Sequence, residues 1–267
     1  MLKVVFPEGD NELIKQATSV LSSRGFCFPI LLDGSGKSLI EAMQMLSDGR
    51  VDACVAGIDL PSRDVIIAAR EYIGLDDKNR NTFSSLMLIE FPDGRQIILS
   101  DVATCKNPTV EQLSDIAILA NDAAAKILGS SKVAMLSFST FGSGGKDDSI
   151  TKIRDAIKLV DMYRPDVDID GEMQLDAAIN KEIAGKKAPK SDVAGNANVL
   201  ICPDINSANI LYKGLEQFAG AKAYGPILLG FKKPISDLSR GSTVEDIIGT
   251  VLSLIRLIQV MYNRTIK

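Results

Sequence analysis

Short apolar runs alternate along this chain with longer stretches in which apolar residues recur at helical spacing. Lys3 to Phe6 reads as a strand closed by Pro7, Glu8 and Gly9. From Asn11 to Ser23, the residues Leu13, Ile14, Ala17, Val20 and Leu21 share a helical face. Phe28 to Leu32 reads as a second, buried strand. Leu39 to Leu46 is predicted helical, Ala53 to Gly57 a third strand and Ser62 to Tyr72 a further helix. This β-α-β-α rhythm predicts a parallel, doubly wound sheet.

The pattern changes after Gly74. Ser84 to Phe91 and Gln96 to Ser100 flank Asp93 and Gly94, the signature of a β-hairpin turn. Asn107, Pro108 and Thr109 open a helix that runs from Glu111 to Leu128. Lys132 to Phe138 is a predicted strand, and a loop rich in Gly and hydroxyls, Ser139 to Gly145, leads to a helix from about Asp148. Strand, Gly-rich loop and helix together are a recipe for a phosphate-binding corner. Asp170, Glu172, Gln174 and Asp176 alternate with apolar residues, which in extended backbone would align the acids on one face. Asn198 to Cys202 is a strand, and a helix is centred on Ile210 to Phe218.

The last segment, Gly225 to Asp246, concentrates the chemistry. A buried strand at Ile227 to Leu229 precedes a polar loop carrying Ser239, Arg240 and Gly241. Ser242 stands three residues before Glu245, the spacing of a capping box. A helix start offers unpaired N–H groups and a positive dipole end, both of which attract anions. A hydroxyl, a guanidinium and the carboxylate of Asp246 thus meet at one corner.

Composition narrows the chemistry. A net charge of −4 argues against nucleic acid as partner, and no apolar run has the length of a membrane span. The N-terminus lacks a secretory signal, so a cytoplasmic protein is expected. The four cysteines have no CxxC spacing and read as buried thiols. No histidine is present, which excludes Ser-His-Asp and Cys-His catalysis and His-ligated metals. Proton transfer must fall to other groups, carboxylates among them. Gly34 to Ser38, GSGKS, imitates the end of a P-loop. The pattern requires Gly where Leu31 stands, so a surface turn is expected.

Several ordered blocks resemble the phosphate acetyltransferase/phosphate butyryltransferase family. They are VVFPEGD at Val4 to Asp10, MLSFST at Met135 to Thr140, IDGEMQLDAA at Ile169 to Ala178, VAGNANVLICPDINSANILYK at Val193 to Lys213, and GPILLGFKKPISDLSRGSTVED at Gly225 to Asp246. Ser100 to Pro108 carries a modified form of a further block. The resemblance implies two three-layer α/β domains with mostly parallel sheets and a cleft between them, as in isocitrate/isopropylmalate dehydrogenases. The domains would be 1–78 plus 228–267, shortened relative to the family, and 79–227, with the active site in the cleft. A homodimer is implied. The implied reaction is acetyl-CoA + phosphate = acetyl phosphate + CoA, through a ternary complex. Coenzyme A enters as substrate, and neither a metal nor a tightly bound cofactor is required.

By the same resemblance, Asp246 is the base for the CoA thiol, Ser239 stabilises the tetrahedral oxyanion and Arg240 holds phosphate. Further phosphate or CoA ligands are expected among Ser139, Thr140, Gly142, Ser143, Gly241 and Ser242. The family's arginine on the first domain falls on Ile67, flanked by Arg63 and Arg70, and a second arginine is displaced to Arg80. Phe141 stands where the family has Lys, and Ser242 where it has Cys. These departures leave two alternatives, a butyryltransferase-like enzyme for a longer acyl chain and a catalytically impaired paralogue that binds CoA or phosphate.

Overall fold

The computed structural model describes residues 1–76 and 82–265, with side chains to residue 259. The chain forms two compact units, Met1–Asn81 with Tyr224–Lys267, and Thr82–Ala223. Each is an α/β unit with a mostly parallel sheet.

In the first unit the elements are β1 (Lys3–Phe6), α1 (Glu12–Ser23), β2 (Phe28–Leu31), α2 (Ser38–Ser47), β3 (Ala53–Ala56) and α3 (Ser62–Ala68). The C-terminal segment returns to this unit after the second has been built. Asn11 caps α1, its side chain accepting from the N–H groups of Leu13 and Ile14. Val4, Val5 and Phe6 are fully buried, so β1 is a central strand. β2 is not the buried strand expected. It lies at one end of the strand order, and Phe28 and Leu31 are 55% and 44% exposed. An apolar run does not say whether a strand has neighbours on both sides. The helix predicted through Tyr72 also changes character, because α3 gives way to a π-helical turn over Ala69–Ile73. Arg63 and Arg70, four residues before and three after Ile67, would share one face of a continuous α-helix, but that spacing does not hold through the wider turn.

The second unit comprises β4 (Ser84–Glu90), β5 (Gln96–Ser100), α4 (Val110–Ile127), β6 (Val133–Leu136), α5 (Asp148–Tyr163), β7 (Ile169–Met173), α6 (Leu175–Ile179), α7 (Lys181–Lys187), β8 (Val199–Ile201) and α8 (Ile205–Ala219). Its strands follow the order β4-β5-β8-β6-β7, antiparallel at the hairpin and parallel thereafter. Alternate residues of the hairpin serve opposite faces. Met87, Ile89 and Leu99 join a core with Met173, Ala177, Ala208 and Tyr212. β6 ends at Leu136, short of the predicted Phe138, whose ring is 60% exposed.

β9 (Lys222–Leu229), β10 (Ile235–Asp237) and α9 (Val244–Thr265) complete the first unit. Its strand order is β2-β1-β3-β10-β9, with β10 parallel to β3 and antiparallel to β9. β10 lies inside the segment expected to be polar loop. Its three residues are buried, and Ser236 hides its hydroxyl by donating to the Pro226 carbonyl at 2.7 Å. Among the described residues no helix is long and apolar enough to cross a membrane.

Candidate active site

The corner at the start of α9 is built by a turn and a cap. β10 hands the chain to Ser239, and the Ser242 N–H closes a turn on the Ser239 carbonyl at 2.9 Å. Ser242 is thereby buried, 9% exposed, and cannot cap the helix. The capping box therefore falls one residue later than the expected Ser242 and Glu245 pair. The Asp246 N–H donates to Thr243 Oγ1 at 3.2 Å, while the Thr243 N–H and hydroxyl both donate to Asp246 Oδ2 at 2.8 Å. Asp246 is half-buried, and its Oδ1 has no partner among the described residues. The carboxylate is gripped by one oxygen and open at the other.

Ser239 is similarly oriented. Its Oγ accepts the Gly241 N–H at 3.3 Å, which leaves the hydroxyl proton to donate elsewhere. Arg240 is exposed, and its guanidinium has no partner among the described residues. One turn thus presents a hydroxyl donor, an unpaired cation and an open carboxylate oxygen.

Beneath this turn lies a buried acid that sequence reasoning missed. Asp237, at the end of β10, is 2% exposed, and its Oδ1 lacks any hydrogen-bond partner. Burial pushes its carboxyl up to about 6; a hydrogen bond from Ser62 opposes this and the neighbouring Glu8 charge reinforces it. Glu8 accepts from the N–H groups of Gly57, Asp59 and Leu60 at 2.8, 2.7 and 2.8 Å. An acid two residues before the SRG triplet, on a strand hidden in a polar-looking loop, was the available signal.

In the second unit the Ser139 to Gly145 loop is organised by Glu172. That carboxylate is fully buried. It accepts from Ser139 Oγ at 2.8 Å, the Gly142 N–H at 2.8 Å and Arg154 Nε at 2.7 Å. Burial raises its carboxyl, but Arg154, then Gly142 and Ser139, outweigh this and leave it below its ordinary value. Thr140 bonds the Gln174 N–H and side chain, and the Thr140 N–H donates to Ser143 Oγ. Ser139 and Gly142 thus direct their donors to a carboxylate of this chain, and Ser143 is the exposed hydroxyl of the loop. Arg154 was legible after the fact. It follows Ile150 by four residues and precedes Ile157 by three, a cation beside an apolar stripe.

The acids expected on one face do not form one. The register of β7 against β6 shifts after Met135, and α6 begins at Leu175. Glu172 is buried, Asp170 half-buried, and Asp176 pairs with Lys187 at 2.8 Å. Among the described residues no cluster of three His, Cys, Asp or Glu is placed to hold a metal. Gly34 to Lys37 form an exposed turn that leads into α2 at the buried Ser38, folded onto Asp33, which accepts from the Ser35 N–H and the Ser38 hydroxyl at 3.0 and 2.7 Å. Arg63 is exposed and unpartnered among the described residues, Arg70 is exposed with a partner, and Arg80 lies outside the described residues. Burial raises the thiols of Cys27 and Cys202 to about 11 and 12, and Cys54 further still, so none of these is a ready nucleophile.

The profile of the family described as phosphate acetyl/butaryl transferase matches residues 35–255. A phosphate acetyltransferase of Clostridium acetobutylicum is 43% identical over 215 residues, which are 79% of this chain and 64% of that relative. The phosphate acetyltransferase of Treponema pallidum is 42% identical over 215 residues, 78% of this chain and 64% of its own length. This chain therefore spans less than two thirds of the length of these curated relatives. The crystal structure of a phosphotransacetylase from Streptococcus pyogenes superposes with a TM-score of 0.85 at 30% identity, covering 97% of this chain and 94% of the other.

Proposed function

We propose, from the premise that this chain belongs to the phosphate acetyl/butaryl transferase family, that it transfers an acetyl group reversibly between coenzyme A and inorganic phosphate. The observation that carries the reading is the α9 corner: an anchored carboxylate with one open oxygen, a free hydroxyl proton and an unpaired guanidinium within one turn.

Each group has a role in the direction that consumes acetyl phosphate. Asp246 Oδ1 takes the thiol proton of CoA, which a thiol of ordinary pKa near 8.5 gives up with modest help. The thiolate sulfur attacks the acetyl carbon, and the carbonyl electron pair moves to oxygen. The Ser239 hydroxyl donates to that oxyanion, the kind of contact that supplies a large share of acyl-transfer catalysis. The intermediate collapses, the C–O bond to phosphate breaks, and phosphate leaves with the electron pair against Arg240, whose fork suits a tetrahedral anion. No histidine is needed, because a carboxylate holds the proton for the lifetime of the step. Ser143, Gly241 and Arg63 are proposed as further ligands of the anionic substrates. Ser139, Thr140 and Gly142 contribute by fixing the shape of their loop. The substrates are acetyl-CoA, phosphate and acetyl phosphate, and the assembly is proposed to be a homodimer in the cytoplasm.

The test is CoA release from acetyl-CoA with and without phosphate. Release that requires phosphate supports the reading. A second reading, binding without turnover, is favoured by Ile67, 48% exposed where the resemblance places an arginine. It predicts calorimetric binding of CoA with no phosphate-dependent release.

A further inference from the structure

Among the described residues, Asp237 Oδ1 is the one buried carboxylate oxygen without a hydrogen-bond partner. Buried polar atoms are normally paired, so an orphan of this kind has a cause. A Cβ on Gly57 would lie 2.3 Å from this oxygen, so the oxygen faces the bare α-carbon of that glycine, which has no donor to offer. The Gly57 N–H is already taken by Glu8 Oε2 at 2.8 Å.

The groups around Asp237 bring a like charge close and no buried cation. β1 leads into Glu8, which is 5% exposed and accepts from three N–H groups. The loop after β3 carries Asp59, which is exposed and holds the Asn11 side-chain amide at 2.8 Å. α3 opens at Ser62, whose hydroxyl bonds Asp237, with Arg63 and Asp64 exposed beside it. β9 faces β10 with the apolar Ile227 and Leu228. α9 brings Glu245 and Asp246, the latter engaged with Thr243. A charge on Asp237 would therefore be buried beside Glu8. Desolvation and the Glu8 charge both favour the neutral carboxyl, which is why it is pushed up to about 6.

This carboxyl cannot swing clear of the anion-facing turn. The Leu238 N–H donates to the Ala56 carbonyl at 2.6 Å, fastening the chain to β3 between Asp237 and Ser239. Arg240 follows three residues after Asp237, so their α-carbons are at most about 11 Å apart. A buried charge at that range is weakly screened and acts on whatever anion Arg240 holds.

We propose that Asp237 sets how tightly this corner holds inorganic phosphate, its neutral carboxyl admitting the dianion and its ionised form repelling it. The inference rests on Arg240 meeting phosphate, as in the reading above. It gives the orphan oxygen a role: with no donor to stabilise its charge, Asp237 takes up a proton when an anion binds.

The experiment measures KM for phosphate in CoA release between about pH 5 and about pH 7. In parallel it measures the rise in melting temperature that phosphate or sulfate produces, a binding readout that needs no turnover. Asp237→Asn is neutral at every pH. Near pH 7 about one wild-type molecule in ten carries the neutral carboxyl, so the variant should hold phosphate roughly three- to tenfold more tightly there. The difference should close near pH 5, where the wild type is itself mostly neutral. Sulfate, a dianion throughout, should give the same pattern, which separates Asp237 from the titration of phosphate itself. Asp237→Ser, also neutral, should follow the Asn variant even at lower stability, whereas a packing defect would change affinity equally at both pH values. Wild type and both variants tracking one another at every pH, with phosphate-dependent release intact, would overturn the role of Asp237 and leave the acyl-transfer reading standing. The predicted pattern in the melting shifts, with no phosphate-dependent release, would uphold Asp237 and remove that reading.

Discussion

In the proposed reaction Asp246 has two tasks on one side chain, and its two oxygens divide them. Oδ2 holds the start of α9 through Thr243, and Oδ1 is open for a proton. The two tasks are separable by substitution. Asp246→Asn keeps an acceptor for the cap and loses the base, so it should melt near the wild-type temperature while turnover falls at least about a hundredfold. Asp246→Ala should lose turnover as well as about 1 kcal/mol of stability, read by urea unfolding, because the reciprocal cap disappears. Arg240→Ala, on an exposed side chain without a partner, should leave the melt unchanged and lower turnover by at least about a hundredfold. Glu172 belongs to a different class. Truncating it to Ala orphans the Ser139 hydroxyl and Gly142 N–H, on the order of 1–3 kcal/mol for each group that stays buried. Its folded-state pKa is depressed, so its contribution is present above the unfolded value near 4.3 and is lost as pH falls through the folded value. Acid unfolding of Glu172→Gln should therefore show a smaller loss of stability over that range than the wild type.

At the scale of elements, the junction of β3 with β10 sets where Ser239 and Arg240 stand. Gly57 follows β3 with φ of 100°, and a Cβ there would lie 2.3 Å from Asp237 Oδ1 and 2.8 Å from the Leu238 nitrogen. Gly57→Ala should cost roughly 1–2 kcal/mol for the backbone alone, and the clash displaces the strand that precedes the turn, so turnover should fall with stability. Asp237 has the opposite linkage to Glu172. Its folded pKa is raised to about 6, so the native state holds the extra proton and stability declines as pH rises from about 4 to about 6, then levels. Asp237→Asn should flatten that part of the profile in urea titrations; an unchanged slope would contradict the assignment. These elements also show where the chain is legible. Local spacing placed β1, the β4–β5 hairpin and most helices, because periodicity and turn residues are local properties. It missed β10, whose burial comes from β3 and β9, partners distant or reversed in sequence. It misplaced the cap of α9 by one residue, because the turn that buries Ser242 is not encoded in the S-x-x-E spacing. Ser239, Arg240 and Asp246 were legible as a polar corner at a helix start, their implied roles came through the family blocks, and their division of hydrogen bonds through the structure alone.

The whole chain joins two α/β units, one of which is interrupted in sequence by the other. That arrangement lets a C-terminal segment complete the unit that the N-terminus begins, so the proposed catalytic corner depends on strands laid down at both ends of the sequence. It belongs to the phosphate acetyl/butaryl transferase family while spanning only part of the length of its curated relatives. The most direct measurement is therefore thiol release from acetyl-, propionyl- and butyryl-CoA by this chain alone, with and without inorganic phosphate. The account predicts release that requires phosphate, is fastest with acetyl-CoA and is abolished to within background by Asp246→Asn. Release indifferent to phosphate, or unchanged in the Asn variant, would contradict it.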